Sequence, residues 1–181
     1  QDADFIGAPA SNHQITSTGD FDADLSGNDG TSRRLLWKGG ETYASSADGT
    51  VAFANMTVGS WGTGKAKVTL AASVAGIRPA GATNLRILDL EFDGASAGGN
   101  FGIQVGSGAC TNLLINGCYI HNTLQGIQIT QSVTPDTVGI FDSVVDNLEA
   151  GTTGYSLFTA ANKLSVVGSR FDTNSTGQHC F

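Results

Sequence analysis

Four segments of this chain align with one another without a gap, and no other feature restricts its fold as strongly. They begin at Asn84, Asn112, Thr137 and Lys163, with starts 28, 25 and 26 residues apart. Their second positions are Leu85, Leu113, Val138 and Leu164; their fourth are Ile87, Ile115, Ile140 and Val166; their ninth are Phe92, Ile120, Val145 and Phe171. All are apolar and spaced at period two within each segment, which is the alternation of a strand with one face inward. The sixth position holds Asp89, Gly117, Asp142 and Gly168, residues that accept backbone angles β-branched residues resist. A bend there splits each segment into two walls and brings Leu90, Cys118, Ser143 and Ser169 inside. A second series, starting at Gly102, Gly126, Gly154 and Gly177, supplies a third wall. Three short strands per turn of about 25 residues is the period of a β-solenoid. A leucine-rich repeat would need a helical segment and a Leu-Asn framework, and a β-sandwich would not keep residue types in register at this period.

Composition agrees. Only 14% of residues are charged and just three are Glu, so long surface helices are few, while 25 glycines fit many tight turns. The net charge of −7 and nine scattered Lys and Arg leave no basic stripe for nucleic acid. No apolar run is long enough to span a membrane. Three cysteines, Cys110, Cys118 and Cys180, form no C-x-x-C pair, which disfavours a zinc site or disulfide framework and reads as small core residues.

The first half is less regular. Residues 1–32, rich in Asp, Gly, Asn and Ser, read as a loop-rich lead-in, and residues 33–181 as the solenoid. Its weaker register near the start is expected of a terminal coil covering an open core. The final Gly177-Gln-His-Cys-Phe181 reads as the first strand of a further coil, so the solenoid is expected to be incomplete at its C-terminal end. A chain beginning at Gln1 fits a cleaved precursor or part of a longer chain.

The order LLWKGGETY, MTVGSWGTGKAKVTLAA, NLRILDLEFDG and GIQV, then NLLINGCYIHNTLQGIQI, resembles the pectate-lyase-like right-handed parallel β-helix superfamily. It is closest to the alginate-lyase and chondroitinase-B type, whose coils also occur in phage tailspikes. The resemblance covers roughly residues 33–181. It implies an all-β, single-stranded right-handed parallel β-helix, extracellular or on a cell or virion surface. It also implies an acidic polysaccharide as partner and, in active members, a Lys or Arg base with calcium. No residue here matches those catalytic positions, and the same coils carry many activities.

Several residues are candidates for binding. The tenth column, Asp93, His121, Asp146 and Asp172, forms an outward row of carboxylates with one imidazole. It could hold calcium or work on a sugar, or its Asp residues could cap corners. Asp20, Asp22 and Asp24 alternate as hard-cation donors do, although Leu25 stands where an EF-hand loop needs Gly. Tyr119, turned outward by its inward neighbours, and Trp61 are candidate sugar-stacking platforms; Trp61 with Trp37 could instead cover the first coils. His121 and Arg86 complete the candidate substrate contacts, Arg86 as a partner for a uronate carboxylate. Arg86 and Arg170 fall on different walls. The resulting expectation is an extracellular β-helix that binds or degrades acidic polysaccharide, with lyase chemistry as its catalytic form. The alternative is a structural or adhesive solenoid, such as a homotrimeric tailspike or fibre segment or a bacterial surface protein.

Overall fold

The apolar columns become the interior of a tube. The structure, a computed structural model, describes residues 14–15, 19–95, 98–106, 108, 110–130, 136–146, 148–149 and 154–172. The chain enters through strand β1 (Gln14–Ile15) and helix α1 (Phe21–Asn28). The first coil is β2 (Arg34–Lys38), β3 (Thr42–Ser45) and β4 (Thr50–Val51); the second is β5 (Thr57–Trp61), β6 (Ala66–Leu70) and β7 (Ala75–Pro79). The third is β8 (Arg86–Leu88), β9 (Leu90–Asp93) and β10 (Phe101–Val105); the fourth is β11 (Leu113–Asn116), β12 (Tyr119–His121) and β13 (Gln125–Ile129). The fifth is β14 (Thr137–Phe141), β15 (Val144–Asp146) and β16 (Leu157–Thr159), followed by β17 (Lys163–Val167) and β18 (Arg170–Phe171).

Each strand pairs in parallel with its counterpart one coil away. The result is three sheets: β1-β2-β5-β8-β11-β14-β17, β3-β6-β9-β12-β15-β18 and β4-β7-β10-β13-β16. The chain is therefore an all-β parallel β-helix. Ile115 pairs with both Ile87 and Ile140, and Ile140 with Val166, as the fourth column requires. The same ladder runs back through Val58 and Leu35 into the irregular half. A second ladder stacks Tyr43, Val68, Phe92, Ile120, Val145 and Phe171. Most of these side chains are fully buried, while Val166 and Phe171 in the last described strands are partly so. Each buried aliphatic or aromatic side chain contributes about 1.5–3 kcal/mol of hydrophobic stabilisation.

The sixth-column bend is present in all four repeats, with φ of 56° at Asp89, 66° at Gly117, 47° at Asp142 and 66° at Gly168. Asp and Gly alternate there for a steric reason. A methyl on Gly117 would come within 2.2 Å of Asp89 Oδ1, and one on Gly168 within 2.2 Å of Asp142 Oδ1. The carboxylate of one coil occupies the space that the next coil leaves empty. Beyond the bend Leu90, Cys118 and Ser143 turn inside, and Ser143 Oγ accepts a hydrogen bond from the Cys118 N–H at 3.1 Å.

Glycine serves a different end in the third sheet. Gly76, Gly102 and Gly126 face the second ladder; a methyl on them would lie 2.4, 2.4 and 2.3 Å from Phe92, Ile120 and Val145. Gly154 does not continue this column. Ile127 pairs with Leu157, so Ser156 takes the place of Gly126 and Gly154 lies two residues earlier. The series began one coil sooner, at Gly76, than the sequence spacing indicated. Gly177-Gln-His-Cys-Phe181 lies outside the described residues.

Part of the loop-rich lead-in is helical. Phe21 and Leu25, four apart on α1, are fully buried against the first coil, and the Phe21 and Trp37 rings are 4.4 Å apart. The helix closes the N-terminal end of the tube.

Candidate functional site

Two outward faces carry concentrated chemistry. On the middle sheet, alternation sends the eighth and tenth positions outward on every strand. Lys67, Glu91, Tyr119, Val144 and Arg170 therefore stack as one column, and Thr69, Asp93, His121 and Asp146 as the next. Coil stacking alone brings together four residues singled out from sequence: Tyr119, His121, Asp93 and Asp146.

Their charges are already spoken for. Lys67 Nζ lies 2.6 Å from Asp93 Oδ2 and 3.7 Å from Glu91 Oε1. Arg170 lies 2.7 Å from Asp146 and 3.1 Å from Asp172. His121 Nε2 sits 3.0 Å from Glu91 Oε1, while its Nδ1 is 3.0 Å from the Asn122 amide nitrogen, which also donates to Asp93 at 2.9 Å. The amide donates to Nδ1, so the imidazole carries its proton on Nε2 and gives it to Glu91. Both ring nitrogens are engaged, and neither is open to accept a substrate proton. The Tyr119 ring stacks on the imidazole at 4.4 Å.

Burial by itself would raise the Asp93 carboxyl. The hydrogen bonds from Lys67, Asn122 and the Ala95 N–H, with His121 nearby, outweigh it and hold the group at about 2. The hydrogen bond to Asp93 in turn holds the Lys67 ammonium above the usual lysine range. Burial, then the neighbouring Asp146 carboxylate, raises the Tyr119 phenol. The face is an internally paired ladder, with each cation lying between carboxylates and the carboxylates in excess.

The first sheet differs. Its outer face carries a groove of about 420 Å³, lined on one side by Asn55, Asn84 and Asn112 and on the floor by Arg86, Leu114, Gly139 and Ser165, with Phe141 opposite. The asparagines sit at the corner entering this sheet, each left-handed with φ between 53° and 58°, a conformation Asn tolerates better than most residues. Their amides form a chain: Asn112 Nδ2 donates to Asn84 Oδ1 and Asn84 Nδ2 to Asn55 Oδ1, each at 2.8 Å. A methyl on Gly139 would come within 2.6 Å of Phe141 Cε2, so the missing side chain lets the phenyl ring lie over the strand. Arg86 is exposed and, unlike Lys67 and Arg170, has no ion-pair partner among the described residues. Sequence reasoning selected Arg86 and missed the rest. The recurrence of Asn84 and Asn112 at the head of two repeats was the available signal.

The other candidates lie apart. Trp61, considered as a stacking platform, is only 5% exposed. It is the last residue of β5, and its burial removes it from the set of surface contacts. Asp20, Asp22 and Asp24 belong to the start of α1 rather than to a cation loop. Asp22 Oδ1 accepts from the Ser46 N–H at 2.8 Å and Asp20 Oδ2 from the Ser46 hydroxyl at 3.2 Å. Burial raises the Asp24 carboxyl. Asp20 bridges to Ala44 of β3, so it lies at the N-terminal edge of the middle sheet, with Ala44 and Thr69 between it and Asp93 in the same column. Among the described residues no group of three or more His, Cys, Asp or Glu side chains could hold a metal ion. Cys110 and Cys118 are buried, and burial pushes their thiols up to about 11; Cys180 lies outside the described residues. No described helix is long and apolar enough to cross a membrane.

Comparisons with protein-family models, with curated proteins and with solved structures gave no match.

Proposed function

We propose that this chain is an extracellular or surface β-helix, of the pectate-lyase-like kind its coil order resembles, that binds an acidic polysaccharide along the groove of the first sheet. One observation carries the reading: the groove combines an uncommitted guanidinium, a row of exposed amides and a phenyl ring lying over the sheet. These are the groups that grip a carboxylate, sugar hydroxyls and a sugar's C–H face. The middle sheet has more charge but offers less, because its cations are neutralised and its one imidazole is engaged at both nitrogens. Binding is therefore better supported than lyase cleavage, which needs a free base beside the unpaired cation, a group that the groove lining does not supply.

Calorimetric titration of the protein with alginate, pectate and chondroitin tests this. At least one should bind, and Arg86→Ala should weaken it about tenfold, the cost of a charged hydrogen bond. Arg86→Lys should recover little, since an ammonium cannot reproduce the planar fork. No binding to any acidic glycan would end the proposal, and a rise in absorbance near 235 nm during incubation would restore the lyase reading.

A second reading, a structural or adhesive solenoid of a fibre or surface protein, is favoured by two outer faces that satisfy themselves. Besides the middle sheet, the third carries a chain from Asp48 through Arg78 to Gln104 and Gln128. Sedimentation equilibrium separates the readings, since a fibre segment should self-associate, as a trimer in the tailspike case.

A further inference from the structure

We infer that the glycan lies parallel to the solenoid axis as an extended ribbon, with one sugar over each coil. This rests on the groove being a glycan site and specifies which glycans it takes. The lining residues come from five successive coils, from Asn55 in the second to Ser165 on β17. With strands about 4.8 Å apart, that run measures about 19 Å along the axis. A chain crossing the tube would meet one asparagine and then leave over the corner. A chain following the axis meets one lining group per step.

The asparagines set that step. Asn84 donates one amide hydrogen to Asn55 and accepts one from Asn112, which leaves its second hydrogen and second lone pair for a ligand. The offer repeats at the coil spacing, so a ligand that answers it must repeat at nearly the same distance. Extended pyranose chains with equatorial linkages do so, and coiled α-linked glucans do not. Arg86 and Phe141 reinforce the selection. They lie on the third and fifth coils, so they meet sugars two apart. In a two-fold ribbon those sugars present the same edge and face. A carboxylate on the first can reach the guanidinium while the second stacks on the phenyl ring. Three sugars are the shortest ligand that makes both contacts.

Titration calorimetry with β-1,4-linked oligomannuronates of two, three, four, six and eight sugars tests the arrangement, with α-1,4-linked oligoglucuronates as the coiled acidic comparison. Affinity should rise at least tenfold from two sugars to three and level off near five. The coiled series should stay at its disaccharide value. Phe141→Ala, at a partly exposed position, should abolish the rise while keeping disaccharide affinity. Asn84→Ala, which leaves Phe141 untouched, should weaken every oligomer including the disaccharide, because Asn84 shares the third coil with Arg86, and should keep the rise from two sugars to three. Affinity independent of length, or equal affinity for the coiled series, overturns the axial ribbon and leaves the groove as a glycan site. Failure of every oligomer and of polymeric alginate, pectate and chondroitin overturns both.

Discussion

The two halves of this tube solve one geometric problem in different ways. From the third coil onward, the turn between the first and middle sheets needs very little chain; β8 and β9 are separated by Asp89 alone. In the first two coils the same corner is wide, with Gly39, Gly40 and Glu41 between β2 and β3, and residues 62–65 between β5 and β6. The buried Trp37 and Trp61 stand at the C-terminal ends of β2 and β5, beside these wide corners. Tyr43 extends into the first such corner, where its hydroxyl donates to Glu41 at 3.2 Å and burial pushes the phenol up to about 12. The two systems meet at Lys65, the last residue of the second wide corner, whose ammonium donates to the Gly117 carbonyl beside Asp89 in the tight series. Regular coils are thus held by many equivalent medium-sized contacts, and the irregular ones add large buried aromatic residues and a helical cap to the same ladders.

That contrast can be broken experimentally. Trp37→Ala should cost the most, about 4 kcal/mol, because it empties a large, fully buried site packed against Phe21 of α1. Urea unfolding measures this, and a loss no larger than that of a repeat-half aliphatic would erase the distinction. Ile115→Ala, in the middle of the regular ladder, should cost about 3 kcal/mol, since neighbours above and below limit collapse into the cavity.

Acid comes next. Asp93 is held at about 2 in the folded chain, below the value of about 3.9 for a free Asp. Its contribution of about 2 kcal/mol is present above pH 4 and is lost as pH falls from about 4 to 2. Thermal melts across that window should show the decline, and Asp93→Asn should flatten it. Gly117→Ala should cost least, about 1 kcal/mol, from an L side chain at positive φ and the displaced Asp89 carboxylate. Adding Asp89→Gly should return part of that loss by removing the steric half.

Much of the tube was legible because inward positions answer to packing. The ladder through Ile87, Ile115, Ile140 and Val166 and the bend at Asp89, Gly117, Asp142 and Gly168 both follow from residue type at fixed spacing. The wide corners hid the same ladder at Leu35 and Val58, since inserted residues break the count without breaking the stacking. The short helix escaped notice because only Phe21 and Leu25 mark its buried side among Asp, Ser, Gly and Asn. Outward positions were harder. Nothing in one dimension tells that Phe141 folds over Gly139, that Lys67 neutralises Asp93 from the neighbouring coil, or that Arg86 has no ion-pair partner among the described residues. Stacking decides those neighbours, and sequence proximity does not.

The alternation of a carboxylate with a bare glycine at successive bends fixes how such a tube can lengthen or shorten. Duplicating or excising one coil would set Asp above Asp, like charges about 4.8 Å apart, or Gly above Gly with an unfilled notch between. Only changes by two coils preserve the fit, so in this half of the molecule the pair of coils is the smallest module that can be added or removed without disturbing the bends.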